Sequence, residues 1–125
     1  MPNANIRKLR LDLILEELLE LGKAFGYTLT ELGWEQIEVP TNIVLAADAT
    51  ADLKVVVLGT DCALGLDAEP IFEEVMRSNY TKLVNDVAGR LTCVKNASGK
   101  ILKSATYVPP NFVPILNHQL NNPLA

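Results

Sequence analysis

The sequence predicts an all-α fold: a helical bundle protomer of four to five helices, a short loop- and hairpin-rich C-terminal tail, and assembly as a dimer. Three observations point there. Residues 6–25 are rich in leucine and lack Gly and Pro until Gly22, and leucine is a strong helix former. Residues 42–66 run without a strong turn signal before Gly59, far beyond a strand of about five or six residues. A third apolar-periodic stretch opens at "DAEPIFEEVM".

The first helix is expected over residues 6–25, with Gly26 as its stop. Residues 27–41, "TLTELGWEQIEVP" at their heart, read as irregular with a possible short helix before Pro40. Trp34 in that stretch is expected as a core plug, with a pocket wall as the alternative. In the second helix, "LKVVVLG" has β-branched strand character, but the length of the run favours helix. Ala47, Ala51, Gly59 and Ala63, with Val55 between, form a ridge of small residues on which another helix can pack closely. The third helix is expected to begin near Asp67, with Pro70 suited to a first helical position, and to fade near Asn85 or Gly89. Glu69, Glu73 and Glu74 near its start complement the helix dipole. Beyond Gly89 a small hairpin is expected around residues 96–99, and Asn111 as the cap of a last helix reaching about Asn117.

Composition bounds the function. The chain has 125 residues, 49% apolar and 21% charged, which predicts one globular domain over residues 1–125. A net charge of −4 argues against a nucleic-acid duplex as partner, because phosphate backbones are bound by basic faces. Two cysteines, Cys62 and Cys93, are too few for a disulfide framework and predict free thiols. The sequon Asn96-Ala97-Ser98 reads as chance, since no apolar signal core accompanies it. No uninterrupted apolar run has membrane-span length, so a cytoplasmic protein is expected.

The chemistry lies in the acids. On a wheel of 3.6 residues per turn, Glu16, Glu17 and Glu20 share an arc of roughly 100°. Leu9 and Leu13 fall in the same arc, and Leu11, Ile14, Leu15, Leu18 and Leu21 occupy the opposite side. Both sides therefore read as buried. A solvated face, with Glu20 touching Lys23, is the ordinary alternative. Inward-facing acids repel one another and need compensation, which a divalent cation supplies. An all-oxygen ligand set suits Mg²⁺ or Mn²⁺. In "AADATADLKVV", Asp48 and Asp52 share a face on a helix or on a strand. Two surface aspartates are the alternative; a carboxylate cage between two packed helices accounts for both clusters.

With these residues in place, the sequence resembles the all-α nucleoside triphosphate pyrophosphohydrolase superfamily, the MazG-like, dimeric dUTPase and phosphoribosyl-ATP pyrophosphohydrolase group. The resemblance rests on "LILEELLEL", with an E-x-x-E at Glu17 and Glu20, on "AADATADLKVVVLGTDCALGL", on "IFEEVMRSNYTKL", and on the tail "GKILKSATYVPPNF". It implies a helical dimer, with a tetramer also open, that cleaves a nucleoside triphosphate between the α and β phosphates. It implies Mg²⁺ (or Mn²⁺) held by Glu17, Glu20, Asp48 and Asp52, with Glu16 positioning or activating the attacking water. It implies substrate contacts from Arg77, Asn79, Lys82, Lys103 and Tyr107. Relatives commonly carry a glutamate three residues before the second aspartate; here that position is Ala49, and the acid stands one residue earlier. A non-catalytic nucleotide-binding or structural helical dimer is the other reading of the same fold.

Overall fold

The computed structural model describes residues 1–123. Among them are four helices, α1 (Ala4–Ala24), α2 (Ile43–Leu64), α3 (Ala68–Tyr80) and α4 (Val113–Asn121). Two antiparallel two-stranded sheets join β1 (Tyr27–Thr30) to β2 (Gly33–Gln36), and β3 (Val84–Asn85) to β4 (Leu91–Thr92). The expected all-α bundle is thereby corrected: the fold mixes helices with two small sheets. None of the described helices is long and apolar enough to cross a membrane. The chain forms two compact units, Met1–Leu66 and Asp67–Ala125.

In the first unit, Asn3 caps α1 by accepting the Ile6 N–H at 3.0 Å. The helix closes onto Gly26, whose φ of 80° suits glycine. The stretch expected to be irregular is a hairpin with Tyr27 opposite Gln36 and Thr30 opposite Gly33. Its loop, Glu31-Leu32, is made of helix formers and hides the turn. The Thr30 hydroxyl closes it, accepting the Leu32 N–H at 3.2 Å. The Ile37 N–H then bonds the Gly26 carbonyl at 2.8 Å, tying the hairpin to the end of α1.

Asn42 caps α2, accepting from Val44 and Leu45, and its own N–H reaches the Ala24 carbonyl at 2.9 Å. Helix α2 stops at Gly65 in the left-handed conformation, φ 70°. It packs on α1, so the second helix is as the length of the run predicted. The close-packing residues differ from those expected. Ala46 and Ala49 are buried, whereas Ala47, Ala51 and Val55 are exposed; of the ridge, Gly59 and Ala63 are half-buried. Within one copy of the chain, only part of α1 is covered. Leu13, Ile14 and Leu21 are half-buried, but Leu9, Leu11, Leu15 and Leu18 are exposed. One helix partner can cover only one stripe of a two-sided helix.

In the second unit, Asp67 caps α3 through the Glu69 N–H, which places Pro70 third in the helix rather than first. The helix ends at Tyr80, short of Asn85. Its end tightens through Lys82 N–H to the Asn79 carbonyl and Leu83 N–H to the Tyr80 carbonyl, each a three-residue step. Asp86 then accepts the N–H groups of Ala88 and Arg90, closing the β3–β4 turn with Gly89 at φ 76°. Around residues 96–99, Asn96 accepts from Ser98 and Lys100, and a single bridge joins Lys95 to Ile101. That is a turn with one rung, smaller than the expected hairpin. Helix α4 runs four residues past Asn117, with Asn111 accepting the Val113 N–H at 3.3 Å.

Candidate functional site

The five nominated acids lie on the two helices of the first unit, Glu16, Glu17 and Glu20 on α1 and Asp48 and Asp52 on α2. Glu16, Glu20 and Asp48 are exposed; Glu17 and Asp52 are half-buried. Glu20 and Asp48 line one pocket of about 460 Å³, with Lys23, Ala24, Val39, Pro40, Asn42 and Leu45. The pocket exists because the Asn42–Ala24 hydrogen bond brings the start of α2 to the end of α1.

Glu17 is the electrostatic focus of this cluster. Desolvation raises its carboxyl above the ordinary value of 4.5, and the charges of Asp52, Glu20, Glu16 and Asp48, in that order, push it further. Its Oε2 is buried and has no hydrogen-bond donor. Carboxylates from two helices therefore act on the Glu17 carboxyl. Two helical turns away on the same face of α1, the Nε of Arg10 is also buried without a partner. Its Nη1 donates to the Gly59 carbonyl of α2 at 3.0 Å. Lys23 makes no ion pair with Glu20 or another acid among the described residues.

The donor set is oxygen-only, and an orphaned buried carboxylate oxygen among like charges fits a hard divalent cation in kind. Among the described residues no three Asp, Glu, His or Cys side chains stand close enough to hold a metal as they are, so a cation would have to draw the carboxylates together.

The nominated substrate contacts lie in the second unit. Lys82 Nζ stands 5.6 Å and Lys103 Nζ 5.0 Å from the centre of the Tyr107 ring, both within cation–π range. Lys82 also donates to Asn79 Oδ1 at 2.8 Å. Four of the five residues thus meet. Arg77 is engaged elsewhere. Its Nε and Nη2 each bond the Glu74 carboxylate at 2.7 Å, and Nη2 also reaches the Pro109 carbonyl at 3.3 Å. That pairing, with the Asn111 N–H at 2.7 Å, holds the Glu74 carboxyl down to about 2.

One feature escaped the sequence reading. Ser78, buried at 2% exposure, and Thr81 fasten the tail to the end of α3; hydroxyls at a helix end were the only available signal. Trp34 is a pocket wall rather than a core plug. With Leu18, Leu21, Gly22, Phe25 and Tyr27 it lines an apolar cavity of about 360 Å³. Cys62 is exposed and Cys93 half-buried, and both are free. Compared with known proteins, the chain matches no family model, and no curated protein matches it either.

Proposed function

We propose that the protein is a metal-dependent nucleoside triphosphate pyrophosphohydrolase of the MazG-like, phosphoribosyl-ATP pyrophosphohydrolase-like kind. The observation that supports this reading best is Glu17, its buried oxygen unpartnered among four further acids from two packed helices. Glu17, Glu20, Asp48 and Asp52 are the residues that would hold Mg²⁺ or Mn²⁺. When bound, the ion supplies neutralisation of the charge that grows on the leaving pyrophosphate.

Glu16 is exposed and free to take the proton of the attacking water. The water oxygen bonds to the α-phosphorus and the α–β P–O bond breaks. The products are a nucleoside monophosphate and pyrophosphate. The second unit carries its own candidate phosphate-binding groups, Lys82, Lys103, Asn79 and Tyr107, while Arg77 is paired with Glu74. Exposed apolar side chains such as Leu11, Leu15, Val55 and Leu58 on α1 and α2 are covered in a homodimer or tetramer. The compartment in this reading is the cytoplasm.

The test is pyrophosphate release across a panel of ribo- and deoxynucleoside triphosphates and phosphoribosyl-ATP, with magnesium or manganese. Release that stops with a chelator is expected; no turnover on any substrate with either ion would reject the reading. A non-catalytic nucleotide-binding dimer is the second reading, favoured by the spread of the acids. It predicts that a non-hydrolysable triphosphate raises the melting temperature while no substrate is turned over.

A further inference from the structure

We propose that Thr81 is a positioning residue for an anion clamp. Its hydroxyl and carbonyl hold the turn of residues 104–108 so that the ammonium groups of Lys82 and Lys103 both lie over the Tyr107 ring. The Thr81 hydroxyl accepts the Val108 N–H at 2.7 Å and donates to the Ser78 carbonyl at 2.6 Å. The Thr81 carbonyl accepts the hydroxyls of Ser104 at 3.0 Å and Thr106 at 3.1 Å. The Tyr107 N–H closes the turn on the Ser104 carbonyl at 3.1 Å. On the other side the buried Ser78 hydroxyl donates to the Val108 carbonyl at 2.8 Å.

Chain connectivity turns this latch into a clamp. Thr81 precedes Lys82, and Val108 follows Tyr107, so a bond between Thr81 and Val108 sets the lysine against the ring. The ring attracts both cations without neutralising either. Neither lysine has a carboxylate partner among the described residues. Two unneutralised ammonium groups with an amide beside them form a receptor for a phosphate group. That the phosphate belongs to a polyphosphate rests on the function proposed above.

The experiment is calorimetric titration of the full chain with inorganic pyrophosphate in the presence of a chelator, alongside the Tyr107 ring resonances by NMR. Thr81→Val keeps the side-chain shape and removes the hydroxyl. It is expected to weaken binding about tenfold and to move the ring resonances, because the Val108 N–H loses its acceptor. Thr81→Ser restores both. Lys82→Met abolishes binding with the ring resonances of an intact turn. Parent affinity in Thr81→Val, no rescue by serine, or binding indifferent to Lys82→Met would overturn the proposal. Should Thr81→Val fail to fold, the Ser104→Ala, Thr106→Val pair removes both hydroxyls from the Thr81 carbonyl, and an unchanged affinity there overturns it equally. No turnover occurs in this titration. A failed titration with pyrophosphate release intact sinks the clamp alone; a sound titration without release sinks the hydrolase alone.

Discussion

Glu74 and Arg77 stand one turn apart on α3 and meet through two parallel hydrogen bonds of 2.7 Å each, while Glu74 Oε1 also accepts the Asn111 N–H at 2.7 Å. One carboxylate thereby joins the helix to the segment that leads into α4. The hydrogen bonds from Arg77, then that from Asn111, lower its carboxyl from 4.5 to about 2. A depressed acid stabilises the fold above its unfolded value and loses that contribution as pH falls through its folded value. The tie is therefore constant from neutral pH to about 4.5 and is lost between about 4.5 and 2. Amide exchange at Asn111 followed from pH 7 to 2 checks this; Glu74→Gln should exchange fast throughout.

Glu17 carries the opposite sign. Its folded carboxyl lies above 4.5, so the native state binds the proton more tightly than the unfolded chain. Stability is lost as pH rises from 4.5 through the folded value, and the metal-free protein carries that deficit at neutral pH. Glu17→Gln is expected to raise the melting temperature at pH 7 in chelator, with little change at pH 4. Magnesium at a hundred times its dissociation constant should stabilise the parent by about 2.7 kcal/mol and leave this variant nearly unmoved.

Activity should separate the acids by role. Glu16→Gln removes the proton acceptor and is expected to lower kcat by roughly 10²–10⁴-fold while metal binding persists. Glu20→Gln and Asp52→Asn should lower both turnover and metal affinity. Pyrophosphate release with a metal titration for each variant distinguishes the two patterns.

Gly22 lies against the ring of Trp34, where an added Cβ would collide with Cζ3 and meet Cη2 at 2.8 Å. Gly22→Ala gains about 1 kcal/mol of helix propensity but must push the indole away. The chain has one tryptophan, so its fluorescence reports the site directly. A shift to longer wavelength is expected in the variant, with the indole turned toward water.

Gly65 ends α2 at φ 70° with no atom near enough to obstruct a side chain. Gly65→Ala is therefore a pure backbone change, expected to destabilise by roughly 1–2 kcal/mol for the left-handed conformation. Denaturant unfolding, with an unchanged slope, measures it.

The five acids were legible as a group in the residues. Spacing along α1 and α2 put Glu16, Glu17, Glu20, Asp48 and Asp52 on faces that turn out to influence one another electrostatically. The hairpin of β1 and β2 was not legible, because Glu31 and Leu32 favour helix and the Thr30 hydroxyl closes the turn only once the strands pair. The resemblance implies a substrate contact for Arg77. Glu74, three residues earlier, captures it, as a neighbour on the same helical face can.

The sequence by itself determined the long helices and the faces on which the acids lie. These follow from local propensity and the 3.6-residue period. Only the tertiary structure decided that Glu17 keeps an unpartnered buried oxygen, that Trp34 walls a cavity, and that Lys82, Lys103 and Tyr107 meet. The reason is physical: desolvation and contacts between distant segments depend on how far the chain is brought together in space, and periodicity carries no record of that distance.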